Sequence, residues 1–109
     1  MMQSIIIGGV EMNKEVRKII ETIRYLKDEI KKEYKAEVVG VFGSYVRGEQ
    51  KEGSDIDVLV RFSEGATLFD LVALADFLEE KLGRKVDLVS ERAIREELKE
   101  RILKEVVTI

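Results

Sequence analysis

The chain has 109 residues and contains no cysteine, histidine, proline or tryptophan. That length suits one domain, since roughly 100–200 residues usually fold around a single core. A disulfide scaffold and a thiolate zinc site are excluded, as is any mechanism that needs a histidine base or a cysteine nucleophile. What remains is carboxylate, hydroxyl, lysine, arginine and backbone chemistry. The 19 basic and 22 acidic residues leave a net charge of -3, so the overall field gives no support for binding nucleic acid or an anionic membrane. High Lys and Glu with only three Asn and Gln residues (Gln3, Asn13, Gln50) is a hyperthermophile tendency.

Residues 1–11 read as a short strand or a leader, and Met12 is an alternative start. Ile5-Ile6-Ile7 is too short for a secretory core and lacks a basic flank. No stretch approaches the roughly 20 apolar residues that span a bilayer, so no membrane partner is expected and a cytoplasmic protein is. The domain therefore runs over 12–109. From Asn13, a plausible N-cap, to about Tyr34, Val16, Ile19, Ile20, Ile23, Leu26, Ile30 and Tyr34 recur at the spacing of one helix face. Glu37–Phe42 is a buried strand, stopped by Gly43-Ser44, and Tyr45–Gly53 begins with one helical turn and continues as a loop.

Asp55–Phe62 is the next strand. Gly65 breaks it, Thr67 caps a helix to about Leu82, and Gly83 ends that helix. Its buried face is assigned to Leu68, Leu71, Val72, Ala75, Leu78 and Leu82. Arg84–Val89 is a third strand, Ser90 begins a last helix through Ile94, Leu98, Ile102 and Leu103, and Val106–Ile109 is an edge strand or docked tail. Alternating strands and helices predict an α/β (α+β) domain, a small mixed β-sheet with helices packed against it.

The chemistry sits between Phe42 and Asp57. A Gly-Ser pair between a buried strand and a helical turn suits a phosphate. Glycine lets the backbone approach closely, and the free N–H groups and the Ser44 hydroxyl donate to it. Arg47, one turn on, adds a charge-assisted contact. The alternative is a Ser-capped turn with an exposed arginine. The Walker pattern fails, because Glu49 and Gln50 stand where it needs Lys and Ser/Thr.

In Ser54-Asp55-Ile56-Asp57 the two carboxylates point to one face of a strand, about 6–7 Å apart at Cα. Like charges so placed repel unless a cation neutralises them, and carboxylates with phosphates suit Mg²⁺. A solvated strand start is the competing reading. Asp87, inside an apolar strand, completes a three-acid cluster if that strand neighbours the Asp55–Asp57 strand. Three such acids are able to hold two divalent ions roughly 3.5–4 Å apart, the arrangement used in phosphoryl transfer. Asp87 is also placed to take a proton from an attacking hydroxyl, the alternative being an edge-facing acid or a partner for Lys85 or Arg84. Lys51 and Arg61 read as solvated surface charges, and Phe42 and Tyr45 as packing residues.

Gly43-Ser44, ten intervening residues, Asp55-Ile56-Asp57 and the distal Asp87 together resemble the signature of the DNA-polymerase-β-like nucleotidyltransferases, in particular the minimal nucleotidyltransferase (MNT) family. The resemblance runs from about Met12 to the end. It implies a polymerase-β-like palm, with two Mg²⁺ ions held by Asp55, Asp57 and Asp87. It also implies that Gly43 and Ser44, assisted by Arg47, grip the triphosphate of ATP as nucleotide donor. Minimal forms are encoded beside HEPN-domain proteins, and in HEPN/MNT toxin–antitoxin systems the MNT antitoxin transfers AMP onto a tyrosine of the HEPN RNase toxin. A binding-only antitoxin, and a catalytic subunit for a small-molecule acceptor, remain as alternatives. With 22 residues after Asp87 no acceptor-binding domain is expected, so the acceptor is expected to come to an open cleft, in a homo-oligomer or a hetero-oligomer.

Overall fold

The computed structural model describes residues 5–7 and 10–109. β1 (Ile5–Ile7) and β2 (Val10–Met12) pair as an antiparallel hairpin, so the strand reading of the first eleven residues holds with two strands in place of one. Residues 1–4, the start of the alternative leader, lie outside the described residues. Asn13 then caps α1 (Lys14–Tyr34): its Oδ1 accepts the N–H of Val16 at 2.9 Å, which satisfies one of the orphan donors of the first turn.

The main sheet is built from β3 (Ala36–Phe42), β4 (Ile56–Phe62), β5 (Val86–Ser90) and β6 (Val107–Thr108) in the order β5–β4–β3–β6. β4 and β5 run parallel, joined through α3 (Leu68–Leu82), while β3 is antiparallel to both of its neighbours. The mixed sheet expected from the alternating pattern is therefore present. A register shift between Val38 and Gly40 interrupts the β3–β4 ladder. Gly40 also carries a steric load, because a Cβ there would stand 2.2 Å from the Val107 carbonyl oxygen. Only glycine lets β6 close on β3 at that point.

Strand alternation divides the sheet into two faces. Ile56, Val58 and Val60 of β4, with Val86 of β5, pack into the core formed with Val16, Ile19, Ile20, Ile23, Leu26 and Ile30 of α1 and Leu74 and Leu78 of α3. Asp57 and Leu59 therefore face the other way, beside their register partners Asp87 and Val89. The second face is crossed by α4 (Glu96–Glu105), none of whose residues is buried.

Three expectations are corrected. The inner face of α3 is centred on Leu74 and Leu78, both fully buried, whereas Leu68 is 74% and Val72 52% exposed. Leu78 and Leu82 of the assigned face do pack inward, and Leu71 and Ala75 are partly buried, so the correction is confined to Leu68 and Val72 giving way to Leu74. Thr67 caps the helix as expected, through a capping box in which the Asp70 carboxylate accepts the Thr67 N–H at 2.8 Å. Ser90 does not start the last helix: it closes β5, a 3₁₀ turn follows over Glu91–Ala93, and extended backbone at Ile94 and Arg95 delays α4 to Glu96. Finally, β4 begins at Ile56, leaving Asp55 just outside the strand.

Candidate active site

The site assembles where β3 ends and β4 and β5 begin. After Phe42 the chain turns at Gly43, whose φ of +84° is open to glycine and disfavoured for residues with a Cβ. The Gly43 carbonyl accepts the N–H groups of Val46 and Arg47, both at 3.1 Å, and so opens the single helical turn α2 (Ser44–Arg47). That turn is pinned from beneath by Tyr45, which is buried. Its hydroxyl donates to the Ser54 carbonyl at 3.4 Å and accepts from Arg84 Nη1 at 3.5 Å. Tyr45 is thus a packing residue, as its place in the sequence suggested. Its hydroxyl bond also ties α2 to the residue immediately before Asp55.

The returning loop is closed by a reciprocal pair. The Lys51 N–H donates to Ser54 Oγ at 2.8 Å, and the Ser54 N–H donates to the Lys51 carbonyl at 3.0 Å. Asp55 follows, exposed, and Asp57 stands half-buried on β4 between its register partners Phe42 and Asp87. Gly43 and Asp57 are fitted to each other. A Cβ at position 43 would lie 2.0 Å from Asp57 Oδ2, so the glycine is required for the carboxylate as much as for the turn.

Burial, together with the charges of Asp87 and Asp55, pushes Asp57 up to about 6 from an ordinary 3.8. Arg47 pulls in the opposite direction and Glu105 adds to the rise. Burial thus contributes most to the rise, and the neighbouring carboxylates add to it. Among the described residues, no three acidic side chains converge closely enough to grip one ion. The parallel register brings Asp57 and Asp87 side by side, and Asp55 joins them electrostatically without closing the cluster. Its position ahead of β4 is the reason, since the same-face rule applies only within the strand. The donor set still fits a hard divalent cation: all the groups are carboxylate oxygens, and a cation would offset both the burial of Asp57 and its repulsion from Asp87 and Asp55.

Arg47 lines the same cleft as Gly43, Asp57 and Asp87 and is paired there with two glutamates. Its Nη1 is held by Glu105 of α4 and its Nε by Glu49 at 3.0 Å, contacts that favour its charged form. Arg61 is likewise engaged, by Glu91 at 2.8 Å, while Lys51 is exposed. Next to Asp57 and Asp87 lies a cleft of about 290 Å³, walled on one side by Phe42, Gly43 and Val89 and on the other by α4. Arg101 and Glu105 line it, and neither stood out in the sequence. Helical spacing from the apolar Leu98 and Ile102 was the available signal, since 98, 101, 102 and 105 share one face.

A nucleotide-handling class follows from a Gly-Ser turn, strand-borne acids and an open cleft on a palm-like sheet, and the comparisons agree. The profile of the family described as "Nucleotidyltransferase domain" matches residues 23–109, so the chain belongs to that family and is a nucleotidyltransferase. Among its relatives is a protein of Methanocaldococcus jannaschii named as a candidate protein adenylyltransferase, 46% identical over 100 residues, which are 92% of this chain and 99% of the relative. Another is the protein adenylyltransferase MntA of Thermococcus cleftensis, 42% identical over 83 residues, 76% of this chain and 84% of that protein. A solved minimal nucleotidyltransferase superposes with a TM-score of 0.68 at 42% identity, covering 83% of this chain and 95% of that one. A toxin–antitoxin complex solved with AMP-PNP contains a chain with a TM-score of 0.62 and 28% identity, covering 88% of this chain and 72% of that one. The MNT resemblance read from the sequence is thereby met in family and in fold. No described helix is long and apolar enough to cross a membrane.

Proposed function

We propose that the chain is a protein adenylyltransferase of the antitoxin kind, moving AMP from ATP to a tyrosine hydroxyl of a cognate HEPN-domain partner. The observation that carries this reading is the interlock of Gly43 with Asp57 beside Asp87. It is a carboxylate pair with an unmet charge, set under a glycine turn that leaves room for nothing larger. The relatives named as protein adenylyltransferases, and the MntA–HepT complexes with TM-scores of 0.52–0.56 at 25–26% identity, support the partner class.

In this reading Asp57 and Asp87, with Asp55 drawn in, would hold divalent ions, Mg²⁺ in the first instance. When bound, such ions would supply neutralisation of phosphate charge at the site of transfer. The Gly43 turn and the Ser44 hydroxyl receive the triphosphate, and Arg47 joins them after exchanging Glu105 for phosphate oxygen. The acceptor oxygen forms a bond to the α-phosphorus, the bond to the bridging oxygen breaks, and pyrophosphate leaves with that electron pair. The hydroxyl proton passes to the Asp87 carboxylate. Little covalent chemistry is asked of the protein, so positioning and charge suffice without His or Cys.

The test is to incubate the protein with ATP, Mg²⁺ and the product of the adjacent reading frame, and to weigh that product. A gain of one or more AMP units supports the proposal. An unmodified neighbour in a tight complex, unaffected by Asp55→Ala with Asp57→Ala, makes the protein a binding antitoxin. Transfer to a small molecule alone makes it a catalytic subunit for such an acceptor.

A further inference from the structure

The cleft over Asp57 and Asp87 contains two guanidinium groups in unlike situations. Arg47 is bracketed by Glu49 and Glu105. Arg101 lines the same cleft from α4, yet among the described residues it makes no ion pair or hydrogen bond. A partner stands within easy reach, since Glu105 lies one turn farther along the same helix face, a spacing at which Arg and Glu commonly pair. Glu105 reaches across to Arg47 instead. Nor does Arg101 close onto Asp57 or Asp87, so an open gap separates a free cation on the helix from carboxylates on the sheet.

That gap has the polarity of a polyphosphate site. One wall presents acids that suit a cation, and the opposite wall presents a planar, permanently charged fork that matches phosphate oxygens in pairs. We propose that Arg101 is a substrate-binding residue that takes the polyphosphate tail of the incoming nucleoside triphosphate from the α4 side, opposite the Gly43–Ser44 turn. α4 then completes the donor site. As the bond to the α-phosphorus breaks, negative charge grows on the departing pyrophosphate, and a guanidinium already in contact with it stabilises that charge. The inference rests on ATP as donor, taken from the function proposed above.

Equilibrium binding of ATP, ADP and AMP in the presence of Mg²⁺ tests it, with the full chain, Arg101→Ala and Arg101→Lys. Position 101 is exposed on a helix with no fully buried residue, so both variants should retain the wild-type unfolding transition. Loss of a charge-assisted contact should weaken ATP roughly tenfold to a hundredfold in Arg101→Ala, with AMP unchanged and ADP between them. Arg101→Lys should recover part of the loss, having the charge without the fork. ATP bound by Arg101→Ala as tightly as by wild type overturns the inference and leaves the function standing. Equal weakening of ATP and AMP overturns it as well, moving the contact to the nucleoside. So does unchanged ATP affinity with a weakened partner complex, which would place Arg101 on the protein interface. Failure of the wild-type protein to bind ATP at all removes the proposed function itself, and the inference with it.

Discussion

Asp57→Asn should make the protein more stable and inactive at once. The carboxyl is raised from 3.8 to about 6, so the folded chain holds this proton more tightly than the unfolded chain does. Between those two values the folded state binds more protons, and stability falls as pH rises through that window. Above about 6 the cost is present in full. Two units correspond to a ceiling of about 3 kcal/mol, and solvent reaching a half-buried group reduces this to about 1–2 kcal/mol. For a domain of this size that is a gain in Tm of roughly 4–8 °C. Asparagine keeps the shape, fits under Gly43 equally well and forfeits no described hydrogen bond of the carboxylate. Thermal unfolding of wild type and variant from pH 4 to pH 8 is the assay. The two curves should nearly coincide at the acidic end and separate progressively to above pH 6. Mg²⁺ should then narrow the gap by stabilising wild type alone. A difference constant across the pH range, or a variant less stable than wild type at neutral pH, would refute the electrostatic reasoning.

Gly43→Ala introduces a Cβ 2.0 Å from Asp57 Oδ2 at a φ of +84°. It should cost about 1–3 kcal/mol in urea unfolding and displace the carboxylate, abolishing nucleotidyl transfer. Leu74→Ala should lose about 2–5 kcal/mol from the core, whereas Leu68→Ala should stay within about 0.5 kcal/mol; equal losses would restore the α3 face first assigned. Glu105→Gln releases Arg47 and removes one of the charges that raise Asp57. ATP titration should show binding tightened by up to about fivefold, the scale of an exposed ion pair, and weaker binding would show that Glu105 positions Arg47 for phosphate.

What the sequence disclosed depended on how local the governing physics was. The α1 stripe, its Asn13 cap and the Gly83 stop are decided within a few residues, and they appear where the pattern put them. The Gly-Ser and Asp-Ile-Asp motifs were legible because their residue types conflict with a plain turn and a plain strand. The phase of α3 was not, because Leu68, Leu71, Val72, Leu74, Ala75 and Leu78 are apolar around most of the helix and only the sheet chooses among them. The delayed start of α4 was hidden for a related reason. Ile94 continues a helical spacing, and no local residue signal marks the extended backbone at Ile94 and Arg95. Arg101 and Glu105 did not stand out, because what distinguishes them lies across the cleft.

The chain leaves the sheet at β5, on one edge, and rejoins it at β6, on the opposite edge. Three inter-strand spacings separate those edges, about 14 Å. The ten residues of α4 make a rod of about 15 Å. Helix length and sheet width are therefore matched, and β6 is seated on β3 over only two residues, beside the one position where Gly40 admits it. A single residue inserted in or deleted from α4 would turn the helix by about 100°, carrying Glu105 away from Arg47 and Arg101 out of the cleft. The rod thus acts as a gauge, and its length in any homologue indicates whether the same side chains can face the acids.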